Sequence, residues 1–168
     1  VTLNDSGTST VGVWNGSNYT TEVDTISNFE NISGSNSGGD FISGNASDNT
    51  LWGNVGNDSL YGGGGNDYID GGSDNDTSAG GTGADTILGG NGNDILRGGG
   101  TTYNNGSADG FSDTLYGNAG DDTLYGMLDG DTLYGGDNAT SFNGNDVINY
   151  SELGVGNAVY IDINATAG

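Results

Sequence analysis

The sequence predicts an all-β solenoid, in which short strands and tight turns alternate and stack as successive coils. The first observation is a nine-residue pattern that is repeated five times without a gap from Gly53 to Arg97. The second is that every copy has an acid at its sixth position and, with one exception, an aliphatic residue at its eighth. A fixed period of this kind indicates a repeat architecture, because each short unit buries its apolar side chain only by stacking on its neighbours.

The two halves of each copy predict a turn followed by a very short strand. Small residues, mostly glycine, fill the first half, and glycine both adopts positive φ and lets two backbones approach closely. In the last three residues of a copy the aliphatic side chain is central, so the eighth position is expected to face inward. The carbonyl oxygens of the turn can converge on one point beside the acid.

The five copies resemble the GGxGxDxUx nonapeptide of the RTX (repeats-in-toxin) family. They read GNVGNDSLY, GGGGNDYID, GGSDNDTSA, GGTGADTIL and GGNGNDILR. One GxGxD would be a weak signal, but copies in phase are specific. The resemblance implies a parallel β-roll, in which two nonapeptides make one coil and calcium lies between turns that are two repeats apart.

Composition limits the partners and the kind of metal site. The chain of 168 residues has 23 acids and one base, and its formal net charge is −22. We therefore expect no nucleic acid and no anionic membrane as a partner. The sequence has no cysteine and no histidine, which excludes disulfides and leaves oxygen atoms as metal ligands. No membrane segment or signal peptide is recognisable, so membrane insertion by this segment is not expected.

The low apolar content indicates a disordered chain, whereas the repeat indicates a folded one, and a bound cation would reconcile the two. Only 31% of the residues are hydrophobic and 36 are glycine, which by itself is typical of a disordered, charged chain. The periodicity instead indicates a defined fold. Folding is therefore expected to depend on a metal that neutralises the carboxylates and fixes the turns.

In chain order, the sequence predicts three parts. Residues 1–33 are expected to form N-terminal strands and an irregular first coil, residues 34–149 the β-roll, and residues 150–168 a C-terminal strand segment. Loop insertions interrupt the roll near 98–112 and 135–145. In the first part, Asp24-Thr25-Ile26 and Glu30-Asn31-Ile32 fit the repeat, although a plain capping strand explains them equally well.

Some copies depart from the consensus. The array is predicted to begin with Ser35–Ser43, in which Ser35 and Asn36 replace the leading glycines. Asn49 stands at the acid position of the next copy, so that turn is expected to bind calcium weakly or not at all. A later copy has Asp74 in place of its fourth-position glycine and Ser78 in place of the inward aliphatic, which thins the core there.

The resemblance assigns the calcium ligands to two edges of the roll. One edge would carry Asp40, Asp58, Asp76, Asp94, Asp122 and Asp146, and the other Asn49, Asp67, Asp85, Asp113 and Asp131. Carboxylates and turn carbonyls supply the six to eight oxygens, at roughly 2.3 to 2.6 Å, that calcium prefers. Several calcium ions are expected.

The inward positions should form two facing ladders. The predicted ladders are Ile42, Leu60, Ser78, Leu96, Leu124 and Ile148 on one side, and Leu51, Ile69, Ile87, Leu115 and Leu133 on the other. On the outer face, Thr50, Thr86, Thr114 and Thr132 would align beside Trp52, Tyr116 and Tyr134. Such rows fit ice or sugar binding, but threonine and tyrosine are also good strand formers, and we prefer that interpretation.

Two functions fit these features. The first is a non-enzymatic, calcium-binding structural module of a secreted or surface-displayed bacterial protein, of the S-layer or large-adhesin type. The second is the calcium-dependent C-terminal module of a type I-secreted enzyme (protease, lipase or polysaccharide epimerase) or of a pore-forming toxin. Catalysis within these residues is not expected, because histidine, cysteine and lysine are absent and the aspartates are assigned to turns. Calcium, and neighbouring copies or other domains of a longer surface protein, are the expected partners.

The two ends of the chain suggest a tandem array. Ile161–Asn164 (IDIN) alternates like Val1–Asn4 (VTLN), as though the chain starts and stops inside equivalent strands. No C-terminal type I secretion signal is recognisable. Both observations fit an internal fragment of a longer array.

Overall fold

Two parallel six-stranded sheets face each other in the computed structural model of the chain. The structure describes residues 11–14, 19–22, 30–99, 110–126, 130–136 and 145–148. The strands in chain order are β1 (Val11–Trp14), β2 (Tyr19–Glu22), β3 (Asn31–Ser33), β4 (Phe41–Ser43), β5 (Thr50–Val55), β6 (Ser59–Gly64), β7 (Tyr68–Ser73), β8 (Thr77–Thr82), β9 (Thr86–Asn91), β10 (Ile95–Arg97), β11 (Thr114–Ala119), β12 (Thr123–Tyr125), β13 (Thr132–Gly136) and β14 (Val147–Ile148).

Consecutive strands of the roll alternate between the two sheets. One sheet has the order β14-β12-β10-β8-β6-β4 and the other β13-β11-β9-β7-β5-β3, so every strand pairs in parallel with the strand two elements away. Two repeats therefore make one coil, which confirms the all-β parallel β-roll. Separately, β1 and β2 form an antiparallel pair in which Val11 lies opposite Glu22. No helix of the length and apolar character needed to cross a bilayer occurs in the described ranges.

The core consists of the two predicted ladders. In one sheet Leu60 pairs with Ile42 and Ser78, and in the other Ile69 pairs with Leu51 and Ile87. The ladder residues from the second coil onward are almost completely buried, up to the last coil. There Leu133 is only partly buried and Ile148 is 39% exposed. Since one aliphatic side chain serves nine residues, burial of apolar area alone cannot offset the conformational entropy that the repeats lose.

The first turn of the predicted array is one residue longer than the nine-residue count. The Gly34 N–H donates to the Trp52 carbonyl (2.7 Å) in the same way that the Gly44 N–H donates to the Tyr61 carbonyl (2.7 Å), so Gly34 and not Ser35 is the first residue of its turn. That turn, 34–40, contains one extra residue, which bulges without shifting the strand that follows. A nine-residue count back from Ser43 therefore misplaces the start by one residue.

The strand before this turn already belongs to the roll. The Thr50 N–H donates to the Glu30 carbonyl (2.8 Å), as the Tyr68 N–H donates to the Asn49 carbonyl (2.9 Å), so Glu30 occupies an acid position. Ile32, which follows in β3, is 8% exposed and extends one ladder. Of the two interpretations of Glu30-Asn31-Ile32, the geometry favours the irregular first coil.

Several other predictions fall on parts of the chain that the structure does not describe. Asp24-Thr25-Ile26, residues 100–109 and 137–144 of the two insertions, and the segment 150–168 lie outside the described residues. Their predicted roles stay predictions.

The outer rows on the β3–β13 sheet are interrupted. Tyr68 separates Thr50 from Thr86, and Asp70 and Leu88 separate Trp52 from Tyr116. The rings of Tyr116 and Tyr134 stack on each other, with centroids 4.9 Å apart and planes 8° from parallel. Because each ring covers a face of the other, these tyrosines do not form an open stacking platform, and the strand-former interpretation fits better.

Ser78 is a polar interruption of the core. It is 0% exposed and lies in register between Leu60 and Leu96, and its hydroxyl oxygen has no hydrogen-bond partner. A buried hydroxyl without a partner keeps its full desolvation cost.

Replacing Ser78 by alanine is therefore expected to stabilise the roll. We expect Ser78→Ala to raise the free energy of unfolding in calcium by about 1 kcal/mol, because it removes the unsatisfied hydroxyl. Chemical denaturation followed by circular dichroism measures this. Ser59→Ala, on the neighbouring strand at a partly exposed position, is the matched control. A loss of stability in the Ser78 variant that exceeds the loss in the control would contradict the interpretation.

Candidate metal centres

The sixth-position residues stack in two columns, one along each edge of the roll. In each column the backbone N–H of a sixth-position residue donates to the Oδ1 atom of the sixth-position residue in the next coil. For example, the Asp58 N–H donates to Asp76 Oδ1 and the Asp67 N–H to Asp85 Oδ1, both at 2.8 Å. The first column contains Asp40, Asp58, Asp76, Asp94, Asp122 and Asp146, and the second Asn49, Asp67, Asp85, Asp113 and Asp131. The structure thus brings together the sequence-predicted residues edge by edge.

The second oxygen of these carboxylates sets the chemistry of the columns. The side chains in the middle of each column are at most 3% exposed. Their Oδ2 atoms are buried and accept no hydrogen bond in five cases, namely Asp58, Asp67, Asp76, Asp94 and Asp122. An ionised carboxylate that is buried with one oxygen unsatisfied is costly, unless a positive charge lies beside it.

A glycine at the first position makes room for this oxygen. A methyl group added at Gly71 would collide with both Asp76 Oδ2 and the carbonyl oxygen of Gly89 in the next coil. The same collision occurs at Gly53, with Asp58 Oδ2 and the Gly71 carbonyl. Two acceptor oxygens from successive coils thus lie against the same glycine Cα. Such a cradle of oxygen atoms suits a cation.

Positive φ angles at the second and fourth positions give the turn its shape. Gly90 and Gly92 have φ of 110° and 139°, and the same positions carry positive φ in the other turns from 53 onward that are described from end to end. Asn54 and Asp74, both with φ of 76°, also adopt this conformation. Asparagine and aspartate tolerate it better than other side chains do. The exchange of glycine for Asp74 therefore preserves the turn.

The fifth-position residues also form hydrogen bonds between coils, which the sequence analysis does not predict. The Asn75 N–H donates to Asn57 Oδ1 (3.0 Å) and the Asn93 N–H to Asn75 Oδ1 (2.7 Å). These bonds run opposite to those of the sixth position, so side chains from both coils hold each pair of stacked turns. The recurring Asn-Asp dipeptide of the repeats is the sequence signal that indicates a role for the fifth position.

The protonation behaviour of the columns reflects their burial. Desolvation raises the pKa of Asp67 and of Asp76 from 3.8 to about 7, and that of Asp94 to about 6. Hydrogen bonds from backbone N–H groups lower these pKa values in part, whereas neighbouring carboxylates raise them further. The pKa of Asp58 and of Asp122 is raised for the same reasons. The stacked turns therefore favour neutralisation of their carboxylates.

The donor set fits calcium. Among the described residues, no three or more acidic, histidine or cysteine side chains gather at one point, so a cation there would be held by carboxylates together with backbone carbonyls. Calcium accepts such mixed oxygen ligands in flexible geometry, whereas zinc and copper favour nitrogen and sulfur. The buried Oδ2 atoms and the glycine cradles are the groups that would hold it.

The fold and these turns define a calcium-binding β-roll module. The family model of the RTX calcium-binding nonapeptide repeat (4 copies) matches residues 35–69, 70–101 and 107–142. These ranges make up more than half of the chain, which therefore belongs to the RTX calcium-binding repeat family. No match is found among curated proteins.

The raised pKa values predict that protons partly replace the cation. Because the folded-state pKa of Asp67 and Asp76 is about 7 and the ordinary value is 3.8, the folded chain binds more protons between these values. The stability of the metal-free fold should thus increase as pH falls from 8 towards 5. We expect the strand signal in metal-free buffer to grow over this range by circular dichroism. Saturating calcium is the control, in which the signal should change little; a metal-free signal that stays constant would contradict the prediction.

Proposed function

We propose that this chain is a non-enzymatic structural module of a secreted or surface-displayed bacterial protein, of the S-layer or large-adhesin type, and that it folds on calcium outside the cell. The observation that carries the proposal is the set of buried, unpartnered Oδ2 atoms along both edges. With a formal net charge of −22 and a single basic residue, the chain supplies almost no positive charge of its own. When bound, calcium supplies the charge that cancels the repulsion between stacked carboxylates.

The calcium requirement connects the fold to a compartment. Extracellular calcium modules bind with dissociation constants of roughly 10⁻⁴ to 10⁻³ M, a range that matches calcium outside cells and lies far above free cytosolic calcium. In the cytosol the carboxylates would repel one another and the thin core would not hold the coils together. A chain of this kind leaves the cell unfolded and gains its structure afterwards.

A structural role is supported by what the acidic residues already do. In both columns the sixth-position side chains accept hydrogen bonds from the backbone of the preceding coil, so they hold the stacked turns together. The sequence offers no histidine, cysteine or lysine for acid–base or nucleophilic chemistry. Enzymatic activity of the parent protein would then reside in another domain.

Localisation in the producing bacterium tests the proposal. An antibody raised against the calcium-folded roll should label intact cells or detect the protein in the medium, and calcium chelation should release or unfold the labelled material. A protein confined to the cytosol would overturn the proposal. A catalytic or pore-forming domain on the same polypeptide would favour the alternative, a calcium-dependent module of a secreted enzyme or toxin.

A further inference from the structure

We infer that the first two turns that the structure describes, residues 34–40 and 44–49, hold no calcium and form a metal-independent cap, so that cation binding begins at Asp58 and Asp67. The inference rests on calcium binding by the later turns. It concerns which of the stacked turns use a cation and which close by their own hydrogen bonds.

The acid of the first turn is already satisfied. Asp40 Oδ2 accepts hydrogen bonds from the Ser35 N–H (2.6 Å) and from the Ser35 hydroxyl (2.9 Å). In Asp58 and Asp76 the equivalent oxygen is buried without a partner. The serine that replaces a small residue here thus supplies two donors where the later turns supply none, and the oxygen that would face a cation is occupied.

The second turn is closed by an amide instead of a carboxylate. Asn49 is 2% exposed, and its Oδ1 atom accepts from the Asn45 N–H at 2.8 Å. Its Nδ2 atom lies 3.5 Å from the Glu30 carbonyl oxygen, to which it donates. Both halves of the amide therefore have partners within the protein. A neutral side chain with satisfied atoms gives a cation neither charge nor a free oxygen.

The backbone of these turns also differs from that of the later turns. No residue of turn 44–49 adopts positive φ, and in turn 34–40 only Gly38 does, with φ of 78°. From turn 53–58 onward, the second and fourth residues of each turn that is described from end to end have positive φ. In turn 44–49 the Ser47 N–H instead donates to Asn45 Oδ1 (2.8 Å), which closes a local turn of a different shape. The first-position cradle itself is kept at Gly34 and Gly44. These turns therefore differ from the later ones in the backbone around the cradle and in the donors that occupy its side-chain oxygen.

The cap is nevertheless attached to the rest of the stack by hydrogen bonds. The Asp40 N–H donates to Asp58 Oδ1 (2.6 Å) and the Asn49 N–H to Asp67 Oδ1 (2.7 Å). The Oδ1 atoms of Asp58 and Asp67 are thus used towards the cap, while their Oδ2 atoms remain for a cation on the far side. The two turns of the cap thus stack on the later coils without the need for an ion.

The number of calcium ions bound by single-site variants of the full chain tests the inference. Native mass spectrometry and equilibrium dialysis count the ions, and circular dichroism confirms folding. We expect Asp40→Asn to bind as many ions as the parent chain with a folding midpoint within about two-fold in calcium concentration, since the amide oxygen still accepts from Ser35. Asp76→Asn should bind fewer ions than the parent chain. If Asp76→Asn does not fold, Asp122→Asn replaces it in the experiment.

The outcomes separate this inference from the proposed function. Loss of an ion from Asp40→Asn, or failure of that variant to fold in calcium, would show that the first turn uses a cation and would overturn the inference. Absence of bound calcium in the parent chain would instead overturn the calcium-dependent function itself. Equal ion counts in all three variants and the parent would also contradict the assignment.

Discussion

Removal of calcium at pH 8 is expected to abolish the strand signal of the whole roll. The core offers one aliphatic side chain per repeat, and one of these positions is Ser78. The edges bury carboxylates, and the Oδ2 atoms of Asp58, Asp67, Asp76, Asp94 and Asp122 have no partner. Without a cation the desolvation of these charges opposes folding, and the apolar burial is too small to offset the entropy cost. Far-ultraviolet circular dichroism in chelator and in millimolar calcium measures the effect, and the fluorescence of Trp52, which is 36% exposed in the fold, follows it independently.

Magnesium is the control for this experiment. Magnesium requires near-ideal octahedral geometry and gives up its water reluctantly, whereas the turns offer carbonyls and carboxylates in flexible arrangement. An equal concentration of magnesium should therefore leave the chain unfolded. The same β signal in magnesium, with calcium chelated away, would show that general charge neutralisation and not the shape of the turns drives folding.

The second large effect is expected from Asp85→Ala in the middle of a column. Asp85 is 2% exposed, and its Oδ1 atom accepts a hydrogen bond from the Asp67 N–H at 2.8 Å. Its loss removes a charge-assisted hydrogen bond and a predicted calcium ligand together, with an expected cost of about 3 kcal/mol. For a chain of this length that corresponds to a fall in melting temperature of roughly 6 to 12 °C. Thermal unfolding at constant calcium concentration measures it.

Asp70→Ala is the matched control, because Asp70 is an acid outside the sixth position. Asp70 lies on the outer face of β7 and pairs in register with Trp52 and Leu88. Burial raises its pKa, so its charge is mildly unfavourable in the fold and its removal should change stability little. Equal losses of stability and of calcium affinity in the two variants would indicate that bulk charge, and not position in the turn, matters.

The sequence predicts the roll well because period and side-chain direction are tied together. Every ninth residue faces the interior, so the phase of the aliphatic residues determines which side chains pair, as Leu60 with Ile42 shows. The same phase places each acid directly before a strand and next to the acid two repeats earlier, in the preceding coil. The two columns and the two ladders follow from counting alone.

Counting in steps of nine residues fails where a turn contains an extra residue. It also fails where the identity of a turn residue changes the hydrogen bonds of the sixth-position side chain. The extra residue in turn 34–40 hides Gly34 as the first position, because the bulge leaves the strands in phase. Asp40 and Asn49 accept hydrogen bonds from the N–H groups of Ser35 and Asn45, and neither donor residue has positive φ. From the repeat pattern alone, Asp40 cannot be distinguished from the other acids of its column.

The outer face of the β4–β14 sheet provides a further difference. On the other sheet the ninth-position residues Trp52 and Tyr134 are 36% and 47% exposed, yet here Ala79 and Arg97 are 2% and 5% exposed. Arg97 lies with its guanidinium 4.8 Å from the centre of the Tyr125 ring, in the neighbouring strand of that sheet. Alternation along a strand gives the direction of a side chain but does not reveal what covers it.

Arg97 also provides the most direct test of the calcium-dependent fold. It is the only basic residue of the chain, so trypsin can cut only the bond between Arg97 and Gly98. In the fold this bond follows β10, which pairs with β8 and β12, and the Gly98 N–H donates to the Tyr125 carbonyl at 3.0 Å. Trypsin digestion across a calcium titration therefore reports folding at one bond in the middle of the roll.

We expect rapid cleavage into residues 1–97 and 98–168 in chelator and protection in millimolar calcium. The transition between them should be steep, because each ion is expected to bridge two coils and so to order the neighbouring turns. In magnesium the bond should remain cleavable. Protection of the Arg97–Gly98 bond in chelator, or a shallow rise of protection with calcium concentration, would contradict the conclusion that calcium binding at the stacked carboxylates folds this chain.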